Sequence, residues 1–333
     1  MMKRLKLGKS DVTVAPICLG CGSFGGTVKE AAAVEQLDHY IELGGFFLDT
    51  AVVYCDWYEG ERSASQNYLG RWMESRGCRK DLTLSVKGCN PTITKITNSL
   101  DTAEHSGPRV GRKFIAEDIE LSMKNLRTDY LDIFTLHKDD PNVEIGEILE
   151  ALQEQKNKGY IHAYGCSNWT TKRQAEAFEY AKAHDLDGFS VDQTRWCLNV
   201  YAPGAHNNHP GVMDREAYDF HKKSGVAVMA YGAAGRGYFQ RMSQGLEIRK
   251  ADHVEYDCPE NEAIYAVLKE ISAETGYDMG TLTIAYIMMD HGFQAIPLFS
   301  VKTLEEMDMC FKALDCKIPE KYQERLRQLR GLD

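Results

Sequence analysis

Short apolar runs alternate along this chain with stretches whose apolar positions recur at helical spacing. Eight runs read as strands: 17–22 (ICLGCG), 45–50 (GFFLDT), 82–88 (LTLSVKG), 131–137 (LDIFTLH), 161–167 (IHAYGCS), 188–193 (GFSVDQ), 226–232 (VAVMAYG) and 294–299 (QAIPLF). Amphipathic segments lie between them. Residues 147–159 (EILEALQEQKNKG) close on Lys158 and Gly159, as a helix C-terminus does, and 171–184 (TKRQAEAFEYAKAH) has clean helical spacing, which 96–103 (ITNSLDTA) lacks. Strands alternating with helices predict a parallel sheet covered by helices, and a count of eight predicts a closed (β/α)8 barrel. The opening, about residues 1–15, alternates around GKSD and reads as a β-hairpin ahead of the barrel, placed to plug its bottom. About 315–333 reads as an extra C-terminal helical tail. No Pro/Ser-rich linker interrupts 1–333, which predicts a single domain.

One motif points elsewhere. Residues 20–25, GCGSFG, spell G-x-G-x-x-G after a strand, and Asp49 ends the next strand, as in a dinucleotide-binding doubly wound fold. The polar residues at the strand ends weigh against it. Asp49, Lys87, His137, the pair Ser167-Asn168, Gln193 and Tyr231 each close a mostly apolar run. A parallel barrel gathers all strand C-termini on one rim, whereas the crevice of an open sheet uses only the strands around its switch point. Singly, each has an ordinary structural reading: a turn-capping Asp, a solvated Lys, a hydrogen-bonded His. Convergence on one rim favours a catalytic reading.

The bulk numbers exclude several classes. Apolar residues make up 43% of the 333 residues, enough for a large core. A formal net charge of −10 argues against nucleic-acid binding. No apolar run reaches the ~18 residues of a membrane span, and the N-terminus has no signal-peptide h-region, which predicts a cytoplasmic protein. Ten cysteines are scattered, and the one C-x-x-C pair, Cys18 and Cys21, has no second pair or His ligand at metal spacing. They read as reduced thiols, with no metal site.

The rim set suits a particular chemistry. Asp49 and Lys87 on neighbouring strands would pair, and a Lys cation beside Tyr54 would lower its phenol pKa from the usual ~10. Tyr54 would then serve as general acid toward a carbonyl oxygen that His137 also hydrogen-bonds. A hydride donor is still required, which implies a nicotinamide cofactor.

The chain resembles the aldo-keto reductase family over nearly its whole length, with the motifs in the family's order. LDTAVVY (48–54) resembles D-T-A-x-x-Y and implies catalytic Asp49 and Tyr54; LSVKG (84–88) implies Lys87; DYLDIFTLHKDDP (129–141) implies His137. GCSNW (165–169) resembles G-x-S-N-F, whose Ser and Asn, here Ser167 and Asn168, hold the nicotinamide carboxamide. QTRWCL (193–198) resembles Q-x-x-Y-N-L, so Gln193 would share that contact and Trp196 would stack on the nicotinamide. AYGAAGRG (230–237) resembles the pyrophosphate loop, implying Tyr231, Gly232, Ala233, Ala234, Gly235, Arg236 and Gly237, although it lacks the usual Pro. Under this resemblance Gly22 and Ser23 approach the cofactor by their backbone, and Asp49 lies beside it. Gln66 stands where the family usually has Glu. The segment IPLFSVKTLEEMDMCFKAL (296–314) supplies Ser300, Lys302 and Thr303 for the adenosine end, with Glu306 near an expected Arg and Cys310 near an expected Asn. Lys302 would hold a 2′-phosphate and Glu306 would repel one or bind a free ribose, so NADP is the family expectation and NAD an open alternative.

Trp57, Trp169 and Trp196 follow strand ends and are expected at the mouth, with Trp57 and Trp169 contacting substrate. Polar loops at 89–113, with His105, and 198–211, with His206 and His209, point to specificity elements and to a polyhydroxylated carbonyl such as a sugar. The implied function is an NAD(P)-dependent oxidoreductase interconverting a small-molecule carbonyl and an alcohol. The alternatives are a cofactor-binding regulatory subunit of the same fold, or an enzyme that retains NAD and oxidises its substrate transiently.

Overall fold

The computed structural model describes residues 2–100, 102–205 and 210–332. Strands β1 (Leu5–Lys6) and β2 (Thr13–Val14) form the expected hairpin, with Leu5 opposite Val14. Thr83 Oγ1 donates to Thr13 O at 2.7 Å, which ties the hairpin to the first residue of a barrel strand and so to the barrel's N-terminal end.

The barrel strands are β3 (Cys18–Gly20), β4 (Phe47–Ala51), β5 (Thr83–Gly88), β8 (Leu131–Leu136), β9 (Ile161–Ser167), β10 (Val191–Arg195), β11 (Ala227–Tyr231) and β12 (Ala295–Phe299). They close in the order β10-β11-β12-β3-β4-β5-β8-β9. The excursion after β5 holds a small antiparallel ribbon, β6 (Ile93–Lys95) and β7 (Glu104–His105). All eight predicted strands are present. Two polar residues lie deeper than expected: Asp49 is the third of five residues in β4, and Gln193 is mid-strand. The sixth strand begins at Val191 because Gly188 is left-handed (φ +73°), which breaks extended pairing there.

Helices α1 (Glu30–Glu42), α2 (Ala64–Arg76), α3 (Arg112–Leu126), α4 (Ile145–Asn157), α5 (Thr171–Ala183) and α6 (Arg215–Ser224) connect successive barrel strands from β3 to β11, the short β6–β7 ribbon lying in the β5–α3 connection. Between β11 and β12 come α7 (Tyr238–Ser243), α8 (Lys250–Tyr256), α9 (Pro259–Thr275) and α10 (Met279–Ile287). Then follow α11 (Leu304–Lys312) and the tail helix α12 (Glu320–Arg330). No helix among the described residues is long and apolar enough to cross a membrane.

Two compact units are distinguished, residues 1–193 and 194–333. In the first, α4 buries Ile145, Ile148, Leu149, Ala151, Leu152 and Gln155, one face of the helix, each large apolar side chain contributing about 1.5–3 kcal/mol. α2 meets α3 closely: Gly70 is buried where an added Cβ would lie 2.1 Å from Asn125 O. Gln66 spans the same contact, donating to Ser122 Oγ and accepting from Asn125 Nδ2, both at 3.0 Å. In the second unit α10 is buried on all sides. Arg330 of α12 donates to the carbonyls of Cys197 and Met213 at 3.1 and 3.2 Å. All ten cysteines are free thiols, Cys18 and Cys21 among the buried ones.

Candidate active site

Strand register assembles the first unit's polar cluster. β4 and β5 pair in parallel with Asp49 opposite Ser85 and Ala51 opposite Lys87, so Asp49, Ser85 and Lys87 share one side of the sheet. Ser85 Oγ donates to Asp49 Oδ1 at 2.9 Å and Gln193 Nε2 to the same oxygen at 2.7 Å, while Lys87 Nζ donates to Oδ2. Asp49 and Ser85 are fully buried and Lys87 is 1% exposed, a depth at which charges persist only when paired and hydrogen-bonded. Burial works against the Lys87 cation, but the Asp49 carboxylate and Tyr54 outweigh it and hold the ammonium protonated beyond its ordinary range.

Tyr54 reaches this pair through consecutive tight turns. Val52 N–H donates to Lys87 O at 2.9 Å, Tyr54 N–H to Ala51 O at 3.2 Å and Asp56 N–H to Val53 O at 3.1 Å, with Cys55 left-handed at φ +70°. The folded-back loop sets the Tyr54 ring 4.9 Å from Lys87 Nζ. Gly22 closes the other side, where a Cβ would lie 3.4 Å from the ring. Lys87 was expected to pull the Tyr54 pKa down. It does pull, but burial is the larger effect and the phenol is net raised. Tyr54 is therefore protonated near neutrality.

His137 follows β8, its N–H donating to Gly88 O at 2.8 Å and its ring edge-on to Tyr54 at 5.7 Å. Burial, then the Lys87 and Lys138 cations, push its pKa well below the usual imidazole value, so the ring is neutral. Its Nδ1 is buried without a partner among the described residues. Asn168, left-handed at φ +59°, donates to His137 O at 3.0 Å and to Ser167 Oγ at 3.1 Å, and Ser167 Oγ donates to Gln193 O at 2.7 Å. The structure thus brings Asp49, Tyr54, Lys87, His137, Ser167, Asn168 and Gln193 into one network.

A cleft of about 400 Å³ opens beside Tyr54 and His137. Val53, Trp57 and Lys138 line it, with Asn90, Pro91, Leu100 and His105 from the excursion after β5. That excursion is fastened to the Trp57 segment: Asn98 N–H donates to Trp57 O at 2.8 Å. Trp169 does not line the cleft. It is 1% exposed and packs edge-on to Phe189 at 5.2 Å, which moves it from the expected substrate wall into the packing behind β9.

In the second unit Trp196 is fully buried and enclosed by Tyr218, Tyr286, His291 and Phe293, its ring 4.7 Å from His291. Its faces are occupied by these rings, which leaves none open for the expected stacking, while Tyr231 at the end of β11 is partly exposed. The 231–237 loop is tightly turned, with positive φ at Gly232, Gly235, Arg236 and Gly237. A Cβ on Gly235 would lie 1.9 Å from Asn199 Oδ1, and both amide atoms of the fully buried Asn199 are unpartnered among the described residues. Ala233 is buried and Ala234 partly exposed. Arg236 pairs with Asp252 at 3.3 Å and Glu255 at 3.0 Å. Ser300 and Lys302 are exposed. Glu306, expected at the ribose, folds back on its own helix: Oε2 accepts the Lys302 N–H at 2.7 Å while its own N–H donates to Thr303 Oγ1 at 3.3 Å, a variant of the capping box. Cys310 is 3% exposed with its thiol pushed up to about 12 by burial, so it faces the core and not a cofactor.

His206 and His209 lie outside the described residues. Several participants were not singled out in the sequence: Ser85, Asn199 and the cleft-lining Val53, Asn90, Pro91, Leu100 and Lys138. Ser85 was readable, since it stands two residues before Lys87 on the same strand face. The others depend on loop paths that carry no periodic signal.

The profile of the aldo/keto reductase family matches residues 16–330. Among curated proteins, norsolorinic acid reductase stcV of Emericella nidulans is 25% identical over 318 residues, covering 93% of this chain and 77% of the relative. Aryl-alcohol dehydrogenase GME11368 of Pestalotiopsis microspora is 28% identical over 244 residues, covering 71% and 58%. The putative aryl-alcohol dehydrogenase AAD14 of Saccharomyces cerevisiae is 24% identical over 343 residues, covering 97% and 85%.

Proposed function

The chain belongs to the aldo/keto reductase family and is an NAD(P)H-dependent oxidoreductase, and on that premise we propose that it interconverts aromatic aldehydes or ketones and their alcohols, with Tyr54 as the proton donor and acceptor. The observation that carries this reading is the Asp49–Lys87–Tyr54–His137 cluster opening onto a cleft walled by Trp57. Val53, Pro91 and Leu100 give that cleft an apolar lining, which suits an aryl group better than the sugar suggested by the polar loops. Two relatives are named for aryl alcohols.

When bound, the nicotinamide supplies the hydride. The chain's own residues handle the oxygen. A substrate carbonyl set between Tyr54 and His137 meets two neutral hydrogen-bonding groups. The raised phenol pKa keeps Tyr54 protonated and ready to donate to the oxygen as negative charge develops there. The phenolate left behind lies against the Lys87 ammonium, whose own position is fixed by Asp49, Ser85 and Gln193. In the alcohol-to-carbonyl direction the same phenolate takes the proton back. His137, neutral and with an orphaned ring nitrogen, orients the oxygen without releasing a proton itself.

The buried, unpartnered Asn199 amide against Gly235 and the turned 231–237 backbone fit a bound dinucleotide. Within the first unit the nicotinamide amide would be held by Ser167, Asn168 and Gln193, with Gly22 and Ser23 nearby. Within the second, Tyr231 takes the stacking role in place of Trp196, residues 232–237 carry the diphosphate, and Ser300 and Lys302 carry the adenosine end. We read all 333 residues as one catalytic domain.

The test is nicotinamide absorbance with a panel of aromatic aldehydes, for wild type and Tyr54→Phe. The variant should lose roughly 10²–10⁴-fold in turnover while cofactor affinity by titration calorimetry stays near wild type. Near-wild-type turnover by the variant would sink the assignment. Cofactor binding with no turnover by wild type would favour the regulatory reading.

A further inference from the structure

The run Lys138-Asp139-Asp140 leaves the end of β8 at the rim of the cleft, and its three charges go different ways. Asp139 turns to Arg173, Oδ2 to Nε 3.2 Å, with the two side chains only 12% and 14% exposed. Asp140 accepts the N–H and side-chain amide of Asn142 at 3.1 and 2.9 Å, closing an Asx turn. Lys138 lines the cleft with Tyr54, His137 and Trp57. Among the described residues it makes no ion pair or hydrogen bond, and no carboxylate lines the cleft. Packing against the cleft lowers its pKa, while the residue as a whole stays exposed to solvent.

Lys138 is exposed at the cleft rim and has no ion-pair partner among the described residues, so its charge is available to a ligand one residue from the group that orients the carbonyl. The chain as a whole carries −10, but that field is screened beyond ~8 Å at physiological salt, so the local cation decides which ligands the cleft accepts. We propose that the enzyme selects aromatic carbonyl substrates bearing a carboxylate, which Lys138 receives while Trp57 packs on the ring and the carbonyl lies between Tyr54 and His137. This rests on the reductase reading above and adds a charge requirement to it. Lys138 is then a specificity-determining residue that acts on substrate binding.

The experiment compares 4-carboxybenzaldehyde with its methyl ester, under saturating cofactor. Wild type should favour the acid by about tenfold in kcat/KM, through KM, the scale of one charge-assisted hydrogen bond. In Lys138→Met the acid-to-ester ratio should fall to about one, and Lys138→Arg should restore it. A ratio near one in wild type, or a preference retained in Lys138→Met, overturns the proposal. If neither aldehyde is turned over, the reductase reading has failed for this substrate class, and calorimetric binding of benzoate against benzamide to the protein with cofactor still decides the charge question. Benzoate bound about tenfold tighter, with the advantage lost in Lys138→Met, supports the site; equal binding overturns it.

Discussion

Single side chains in this molecule are set by burial as much as by their neighbours. Tyr54 illustrates it: the sequence shows a Lys beside a Tyr, and the attraction is real, yet desolvation reverses the net shift. The types and spacing of Asp49, Tyr54, Lys87 and His137 were legible because each lies in or just after a short apolar strand, though Asp49 sits mid-strand and not at its end. The sign of the Tyr54 shift was not, since it depends on how many atoms pack around the phenol. Histidine gives the clearest pH consequence. His291 is 2% exposed, shares hydrogen bonds with Tyr218 and Tyr286 O, and is driven by burial down to about 4; His137 is driven down as well. Their folded forms refuse a proton that the unfolded chain accepts below ~6.5. Their contribution is therefore fully present above that pH and is lost as pH falls toward the folded pKa. For His291 the loss should approach about 3 kcal/mol near pH 4. Urea midpoints measured from neutrality to about pH 4 should fall more steeply for wild type than for His291→Gln; parallel slopes would contradict the buried neutral imidazole.

At the level of elements, the strands were readable because they are short apolar runs, buried on both faces in the barrel, and α4 and α5 because one face of each is buried. The ribbon β6–β7 was not, since two or three residues per strand leave no pattern to detect, and the segment read only as a polar loop. Yet it supplies Asn90, Pro91, Leu100 and His105 to the cleft. Helix–helix distance was equally invisible. Gly70 sits in the middle of α2, where glycine costs about 1 kcal/mol of helix propensity relative to alanine. The contact with α3 explains it, because a Cβ would lie 2.1 Å from the Asn125 carbonyl, a backbone atom that cannot swing aside. Gly70→Ala should therefore destabilise by about 2 kcal/mol despite the better propensity, read as a lower urea midpoint with an unchanged slope. A raised midpoint would mean that α2 and α3 can separate freely.

For the molecule as a whole, the sequence reading of one domain rests on the absence of a linker, and the boundary between the two compact units falls after Gln193, within the span of β10. No composition shift marks such a division, which is why it could not be read from the chain. Cofactor choice is tested at Lys302 and Glu306. Lys302 is exposed ahead of α11, and Glu306, which sequence alone set against a 2′-phosphate, has its carboxylate on the Lys302 N–H. That hydrogen bond lets the carboxylate support the turn that carries the lysine, and on the proposed placement of the adenosine end NADP is the cofactor to expect. Removing the cation in Lys302→Ala should weaken NADPH by about tenfold or more, the scale of one charge-assisted contact, and leave NADH within about twofold. Glu306→Ala should lower stability by about 1 kcal/mol through the lost cap and, since it loosens that turn, weaken NADPH more than NADH. The opposite outcome, tighter NADPH in Glu306→Ala, would show that repulsion by the carboxylate dominates and that NAD is the preferred cofactor. Calorimetric titration of both cofactors against the three proteins separates the two cases.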